Sequence, residues 1–226
     1  PLSIHDMLAM GRISEPQVSP DGKWIVFTLR KTDLEANQGR TDLWLIDTNG
    51  NNLSQLTTHP DADYNPVWSV DGKTIYFIST RSGSAQVWKI QTSGGEAQQV
   101  KEEPLDVANL ITSKDGKYFA FTMQVFPDTN SPALYQNGSL PAQTKERLDK
   151  IEQQKATGKI FESIFVRHWD TWSDGRRSHL FVIPSAGGKA IDVMPNMNAD
   201  TPSKPFGGSE EITFTPDCKS IIFTAR

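Results

Sequence analysis

Two neighbouring carboxylates, Glu210 and Glu211, are the side chains of this 226-residue sequence best suited to a specific binding task. A carboxylate screened from bulk water holds an ammonium group by a charge-assisted hydrogen bond, worth about 1.5–3 kcal/mol. The same pair also reads as solvated residues opening a strand, in which case alternation lets only one of them point inward. Trp169 and Trp172 offer aromatic area to an apolar ligand. They fit equally as packing beneath a loop, with Asp170 and Asp174 bonding its backbone. Arg167, Arg176 and Arg177 could bind a carboxylate, though salt bridges that pin loops are the plainer use.

Other chemistries lack their residues. No Gly-x-Ser-x-Gly nucleophile elbow occurs; Gly83-Ser84 and Gly208-Ser209 lack its flanking glycines. Without nucleophile, base and oxyanion hole on one rigid frame, acyl transfer has no mechanism in these residues. His5, His59, His168 and His179 are far apart and lack the i, i+4 spacing of a helical metal site. The single cysteine, Cys218, excludes an internal disulfide and a thiolate zinc cluster. No cofactor or metal is expected. The net charge of −4 is spread along the chain without a basic stripe, which argues against nucleic acid. No apolar run approaches the ~20 residues that span a bilayer. The start at Pro1 shows no basic-then-apolar leader and is expected to be a processed or trimmed end.

The elements that position these residues are set by a repeat. Ser19-Pro20-Asp21-Gly22-Lys23, Ser69-Val70-Asp71-Gly72-Lys73, Ser113-Lys114-Asp115-Gly116-Lys117 and Thr215-Pro216-Asp217-Cys218-Lys219 share one pattern. Apolar residues follow each aspartate by four and six positions: Ile25 and Phe27, Ile75 and Phe77, Phe119 and Phe121, Ile221 and Phe223. Each copy therefore joins a tight turn to a strand of period two. Cys218 stands where the others have glycine, so its turn is expected to be strained or differently shaped. A second strand follows at Leu43–Ile46, Val87–Ile90 and Leu180–Ile183. Hairpin turns come after it at Asn49-Gly50, Gly94-Gly95 and Gly187-Gly188. A short closing strand completes a four-stranded antiparallel meander. Trp44 and Trp88 occupy equivalent positions and are expected to form interblade core; Trp24 and Trp68 are expected to be structural.

The four aspartates lie 50, 44 and 102 residues apart. A unit of four strands at about 40–50 residues is a propeller blade. The fold expected is all-β: a partial β-propeller of about three and a half four-stranded blades, with a helical insertion in the third. Blade 1 covers about 15–58, blade 2 about 64–101, and blade 3 about 105–194 with the insertion over about 127–173. The start of blade 4 covers about 210–226. Within the insertion, Thr144 to Ala156 is rich in helix formers and should lie on the surface, with Leu148 and Ile151 as a thin apolar stripe. Ser3 can cap a short helix running to Met10. An arc ending in half a blade leaves an apolar face and a strand edge open, so the natural chain is expected to continue past Arg226. Those open edges also leave room for a homo-oligomer.

Three stretches go beyond the repeat. Asp6 to Lys23 (DMLAMGRISEPQVSPDGK) resembles the start of bacterial prolyl-oligopeptidase-family proteins. Val166 to Phe181 (VRHWDTWSDGRRSHLF) and Lys204 to Glu211 (KPFGGSEE) resemble the branch containing dipeptidyl-peptidase V. The Ser-Pro-Asp-Gly-Lys repeat is shared with periplasmic TolB-like propellers. The resemblance implies a periplasmic or secreted serine peptidase in which a propeller covers an α/β-hydrolase domain that this sequence does not contain. Its substrates would be peptides, bound through that missing domain and shortened by dipeptides from the amino end. It implies that Glu210, or its neighbour Glu211, anchors the peptide's free amine, while Trp169 and Trp172 line the substrate's path. These residues alone are expected to be inactive. The competing reading is a non-enzymatic, TolB-like propeller that binds other proteins in the periplasm.

Overall fold

The computed structural model describes residues 2–127, 139–158, 161 and 167–226. Its first sheet runs in order through β1 (Arg12–Val18), β2 (Trp24–Asp33), β3 (Gln38–Asp47) and β4 (Ser54–Gln55). The second does so through β5 (Asp63–Trp68), β6 (Thr74–Ser79), β7 (Gln86–Gln91) and β8 (Gln98–Lys101). The third begins with β9 (Ala108–Thr112) and β10 (Tyr118–Val125). After β10 the chain leaves the sheet for helix α2 (Leu140–Glu152) and a small hairpin, β11 (Arg167–His168) with β12 (Thr171–Trp172). It returns as β13 (Arg177–Pro184) and β14 (Ile191–Asp192) to complete the order β9-β10-β13-β14. A two-stranded sheet, β15 (Ile212–Phe214) with β16 (Ile221–Phe223), follows. All pairings are antiparallel, so these are three blades and the first half of a fourth. The insertion residues 128–138, 159–160 and 162–166 lie outside the described residues.

Each turn of the repeat is built the same way. Ser19 donates its hydroxyl to Asp21 at 2.6 Å, and the Lys23 amide donates to the same carboxylate at 3.1 Å. The Trp24 amide then donates to Ser19 Oγ at 2.9 Å. Ser69/Asp71 and Ser113/Asp115 repeat this network, and Thr215 takes the serine's place beside Asp217. Consequently all four aspartates ionise below the ordinary carboxylate value, first through the neighbouring hydroxyl and then through the lysine amide. For Asp115 the value falls to about 2. Cys218 adopts the left-handed conformation of its glycine counterparts, at φ 58°, and its amide still donates to the Thr215 carbonyl at 2.8 Å. The turn keeps its shape, and the strain sits in one residue.

Blades stack through their faces. Val26, Leu43 and Leu45 of blade 1 meet Trp68, Ile75, Phe77 and Ile90 of blade 2. Ile78, Val87 and their neighbours in turn meet Leu110, Phe119, Phe121 and Phe181 of blade 3. Ala120, Leu180 and Met194 receive Ile212 from the half-blade. The two equivalent tryptophans part company here. Trp88 packs against the core shared with blade 1. Trp44 instead belongs to the opposite, uncovered face of blade 1, where the Lys31 ammonium lies 4.3 Å from its ring centre. The reason is that the position points toward the preceding blade, and blade 1 has none among the described residues.

A second repeated device was not foreseen. The innermost strand of each complete blade carries a bulge with a left-handed residue: Glu15 (φ 54°), Asn65 (φ 53°) and Asn109 (φ 54°). Glu15 accepts from the Asn65 amide at 2.8 Å, on the next blade. Asn65 both accepts from the Leu110 amide, at 2.8 Å, and donates to the Leu110 carbonyl, at 3.0 Å. The first two bulge side chains thus clasp their blade to its successor, whereas Asn109 donates to Thr122 within its own blade at 2.9 Å.

Both helices differ from the expected ranges. A capping box between Ser3 and Asp6 starts α1, which covers Ile4–Ala9. Ser139 caps α2, which begins at Leu140, four residues before Thr144, and ends at Glu152, short of Ala156. That helix is not merely superficial. Its foot is buried through Leu140, Pro141 and Thr144, whose hydroxyl accepts from the Phe126 amide at 3.2 Å. Leu148 touches the core shared by blades 2 and 3, while Ile151 is exposed.

Candidate functional site at the loop end of the blades

Antiparallel meanders sort their connections to two ends. One end carries the Ser-Pro-Asp-Gly-Lys turns and the Gly-containing hairpins. The other carries the connections β2–β3, β6–β7 and β10–β13, the last of them long, together with the crossings from one blade to the next. Every sequence-nominated site residue lies at this second end: Trp169 and Trp172 in the β10–β13 insertion, Glu210 and Glu211 in the crossing from β14 to β15.

The crossing is held rigidly. Asp200, itself buried, accepts from the Ser178 amide at 2.7 Å and pairs with Arg177 at 3.1 Å and Lys204 at 2.8 Å. Lys204 also donates to Gln124 at 3.1 Å. Arg176 pairs with Asp174 at 2.7 Å, and Arg177 donates to Asn198, so both arginines fasten loops. The Thr201–Pro202 and Lys204–Pro205 peptide bonds are cis.

Glu210 and Glu211 fall in a single 3-10 turn, Ser209–Glu211, rather than at the start of a strand. Strand alternation therefore does not sort them; hydrogen bonding does. Glu211 accepts from the Ser203 amide at 2.8 Å, from the Ser203 hydroxyl at 2.7 Å and from the Thr224 hydroxyl. The Thr224 hydroxyl, followed by the two Ser203 groups, holds its carboxyl below the usual range. Glu211 is thus a clamp that ties the crossing to the end of β16. Glu210 is exposed; among the described residues it accepts from the Gly208 amide alone, at 3.1 Å, and forms no ion pair. The two glycines make this possible. A Cβ on Gly207 would lie 2.6 Å from a Glu211 oxygen, and one on Gly208 would lie 2.4 Å from Glu210.

Ser209, beside Glu210, lines a cavity of about 320 Å³ on the channel side, together with Glu15, Gln17, Asn65, Leu110 and Thr112. The Ser209–Glu211 turn therefore stands beside the first strands of the three blades, touching that cavity through Ser209. Trp172 is stacked on Phe161, with ring centres 5.6 Å apart, and carries the Arg167 guanidinium 5.1 Å from its ring. Trp169 is 74% exposed and sits 5.9 Å from Phe206, which is 77% exposed. That contact joins the insertion hairpin to the loop bearing Glu210. Sequence reasoning missed Phe206; its only signal was a phenylalanine placed directly before a Gly-Gly pair.

The described residues include no group of three or more His, Cys, Asp or Glu able to hold a metal ion, and no helix long and apolar enough to cross a membrane.

Stacked four-stranded meanders around a channel define part of a β-propeller. The chain belongs to the TolB beta propeller domain family, whose pattern matches residues 7–132. It is 32% identical to dipeptidyl-peptidase 5 of Porphyromonas gingivalis over 97% of its length, and 27% identical to dipeptidyl-peptidase 5 of Porphyromonas endodontalis, also over 97%. In both cases it spans 30% of the relative's length. Among solved structures, the Pyrococcus horikoshii acylaminoacyl peptidase matches 82% of this chain with 25% of its own, at 16% identity and a TM-score of 0.56. That likeness concerns the fold.

Proposed function

We propose that this chain is the substrate-gating propeller portion of a dipeptidyl-peptidase-like serine peptidase that removes dipeptides from peptide amino termini. The observation that carries the reading is the division of labour between two adjacent carboxylates. Glu211 is consumed by the loop, whereas Glu210 is exposed and, among the described residues, pairs with no cation. An ammonium there would gain a charge-assisted bond. Placed a fixed distance from a nucleophile on another domain, it would count residues from the amino end. The relatives named dipeptidyl-peptidase 5 support this, as does the chain's 97% coverage by them. Such a peptidase would work outside the cytoplasm, in the periplasm or secreted.

The test is dipeptide release by the complete gene product. Glu210→Gln should reduce cleavage of free-amino peptides at least about tenfold more than cleavage of acylated ones, the loss expected for one charge-assisted bond. Equal losses on both remove the anchor. The match to the TolB beta propeller domain favours one second reading, a protein-binding propeller without catalysis. A complete gene product that lacks a nucleophile elbow and releases no dipeptide would establish it.

A further inference from the structure

Each turn of the repeat is flanked by one residue three positions before its aspartate and another three positions after it. Where blade 1 meets blade 2, the flanking residues are Trp24 after the first turn and Trp68 before the second. Where blade 2 meets blade 3, the same two positions hold Thr74 and Thr112. The turns therefore do not require indoles, and the first junction departs from the pattern that builds it. Both tryptophans line one cavity of about 580 Å³, together with Leu45, Asp21 and Asp71, at the end of the blades that carries the turns. Trp68 is fixed in place, because its indole N–H donates to the Gln17 carbonyl at 2.9 Å.

Negative charge is fixed on the same cavity. Asp71 accepts from the Ser69 hydroxyl at 2.7 Å and from the Lys73 amide at 3.1 Å, both through Oδ1. Among the described residues its Oδ2 takes no hydrogen bond and pairs with no cation. Asp21 is held in the same way, and the Lys23 ammonium stands 3.9 Å from it on a side chain that is 76% exposed. The serine hydroxyl, followed by the lysine amide, keeps each carboxyl below its ordinary range, so both are ionised at neutral pH. An anion entering the cavity meets two negative charges. A cation gains a charge-assisted bond, and the indoles add attraction to its charge and apolar area for the chain that bears it.

We propose that this cavity binds a primary alkylammonium ion, with its head on Asp71 and its methylene stem against Trp24 and Trp68. The experiment is calorimetric titration of the protein with butylammonium, butanol and butyrate. Butylammonium should bind about tenfold more tightly than the alcohol, the gain from one charge-assisted bond, and butyrate should give no binding heat. Asp71→Asn should weaken butylammonium about tenfold. Asparagine's side-chain oxygen can still accept from Ser69 and the Lys73 amide, so the turn survives that change. Asp115→Asn alters the matching turn of blade 3, away from the cavity, and should leave binding unchanged. Trp24→Thr, which gives blade 1 the residue type of blade 2 at that position, should weaken binding about threefold. Absence of binding heat from butylammonium, equal affinity for the alcohol, or equal losses in Asp71→Asn and Asp115→Asn overturns the site.

Discussion

Replacing Asn65 by alanine tests the clasp between blades. Its side-chain amide makes two hydrogen bonds to Leu110 of the following blade, at 2.8 and 3.0 Å, and its backbone sits at φ 53°. Each neutral bond contributes about 1 kcal/mol net. The heavier penalty for stranding buried backbone groups does not apply, because Asn65 and Leu110 line the same channel-side cavity, which water can enter. Alanine in the left-handed region adds about 1 kcal/mol, since it lacks the local bonding that lets asparagine tolerate it. Asn65→Ala should therefore cost about 3 kcal/mol, and Asn65→Gly, which removes the bonds without the strain, about 2 kcal/mol. Asn37, also left-handed at φ 51° but with no such clasp, supplies the control: Asn37→Ala should cost only about 1 kcal/mol. Urea unfolding followed by tryptophan fluorescence measures all three. A loss below about 1 kcal/mol for Asn65→Ala would refute the claim that these bonds hold the blades together.

Two further outcomes follow from the turns. Cys218→Gly should raise stability by about 0.5–1 kcal/mol, because relief of the left-handed strain exceeds the entropy glycine adds to the unfolded chain. An unchanged or lower midpoint in urea counts against strain at that residue. The turn aspartates have folded-state pKa values below the ordinary 3.8, with Asp115 at about 2. Their contribution is present above the unfolded value and is lost as pH falls through about 3.8 toward 2. Melting temperature should be flat between pH 7 and 5 and then fall, and Asp115→Asn should shrink that acid loss. An acid loss of the same size in the variant would exclude the turn network as its source.

The scaffold was legible because its information is local and repeated. A Ser-x-Asp-Gly-Lys turn followed by apolar residues at alternate positions states a hairpin, its register and its buried face within ten residues. The bulges were not legible. Glu15 breaks the match between Asn65 and Asn109, and the partners of Glu15 and Asn65 lie a blade away. The site was half legible. The pair Glu210-Glu211 stood out by charge, but a 3-10 turn rather than a strand carries it. Choosing between the two residues required Ser203 and Thr224, which come from opposite sides of the pair in sequence. Trp44 and Trp88 show the same limit, since identical positions in the repeat meet different surroundings according to which neighbouring blade is present.

The split between the two ends of the blades explains why the repeat says so little about function. At one end, residues are chosen to make turns, and a hydroxyl and an amide satisfy each aspartate. At the other end the connections differ in length and composition, so their side chains are free of the repeat. Even there most of the polar groups are committed. Asp200 is spent on Ser178, Arg177 and Lys204, and Glu211 on Ser203 and Thr224. What those bonds achieve is the fixed placement of the Ser209–Glu211 turn that carries Glu210. Glu210 remains exposed because its neighbours take up those bonds: among the described residues its carboxylate holds the Gly208 amide alone, on a loop fastened from both sides by Asp200 and Glu211.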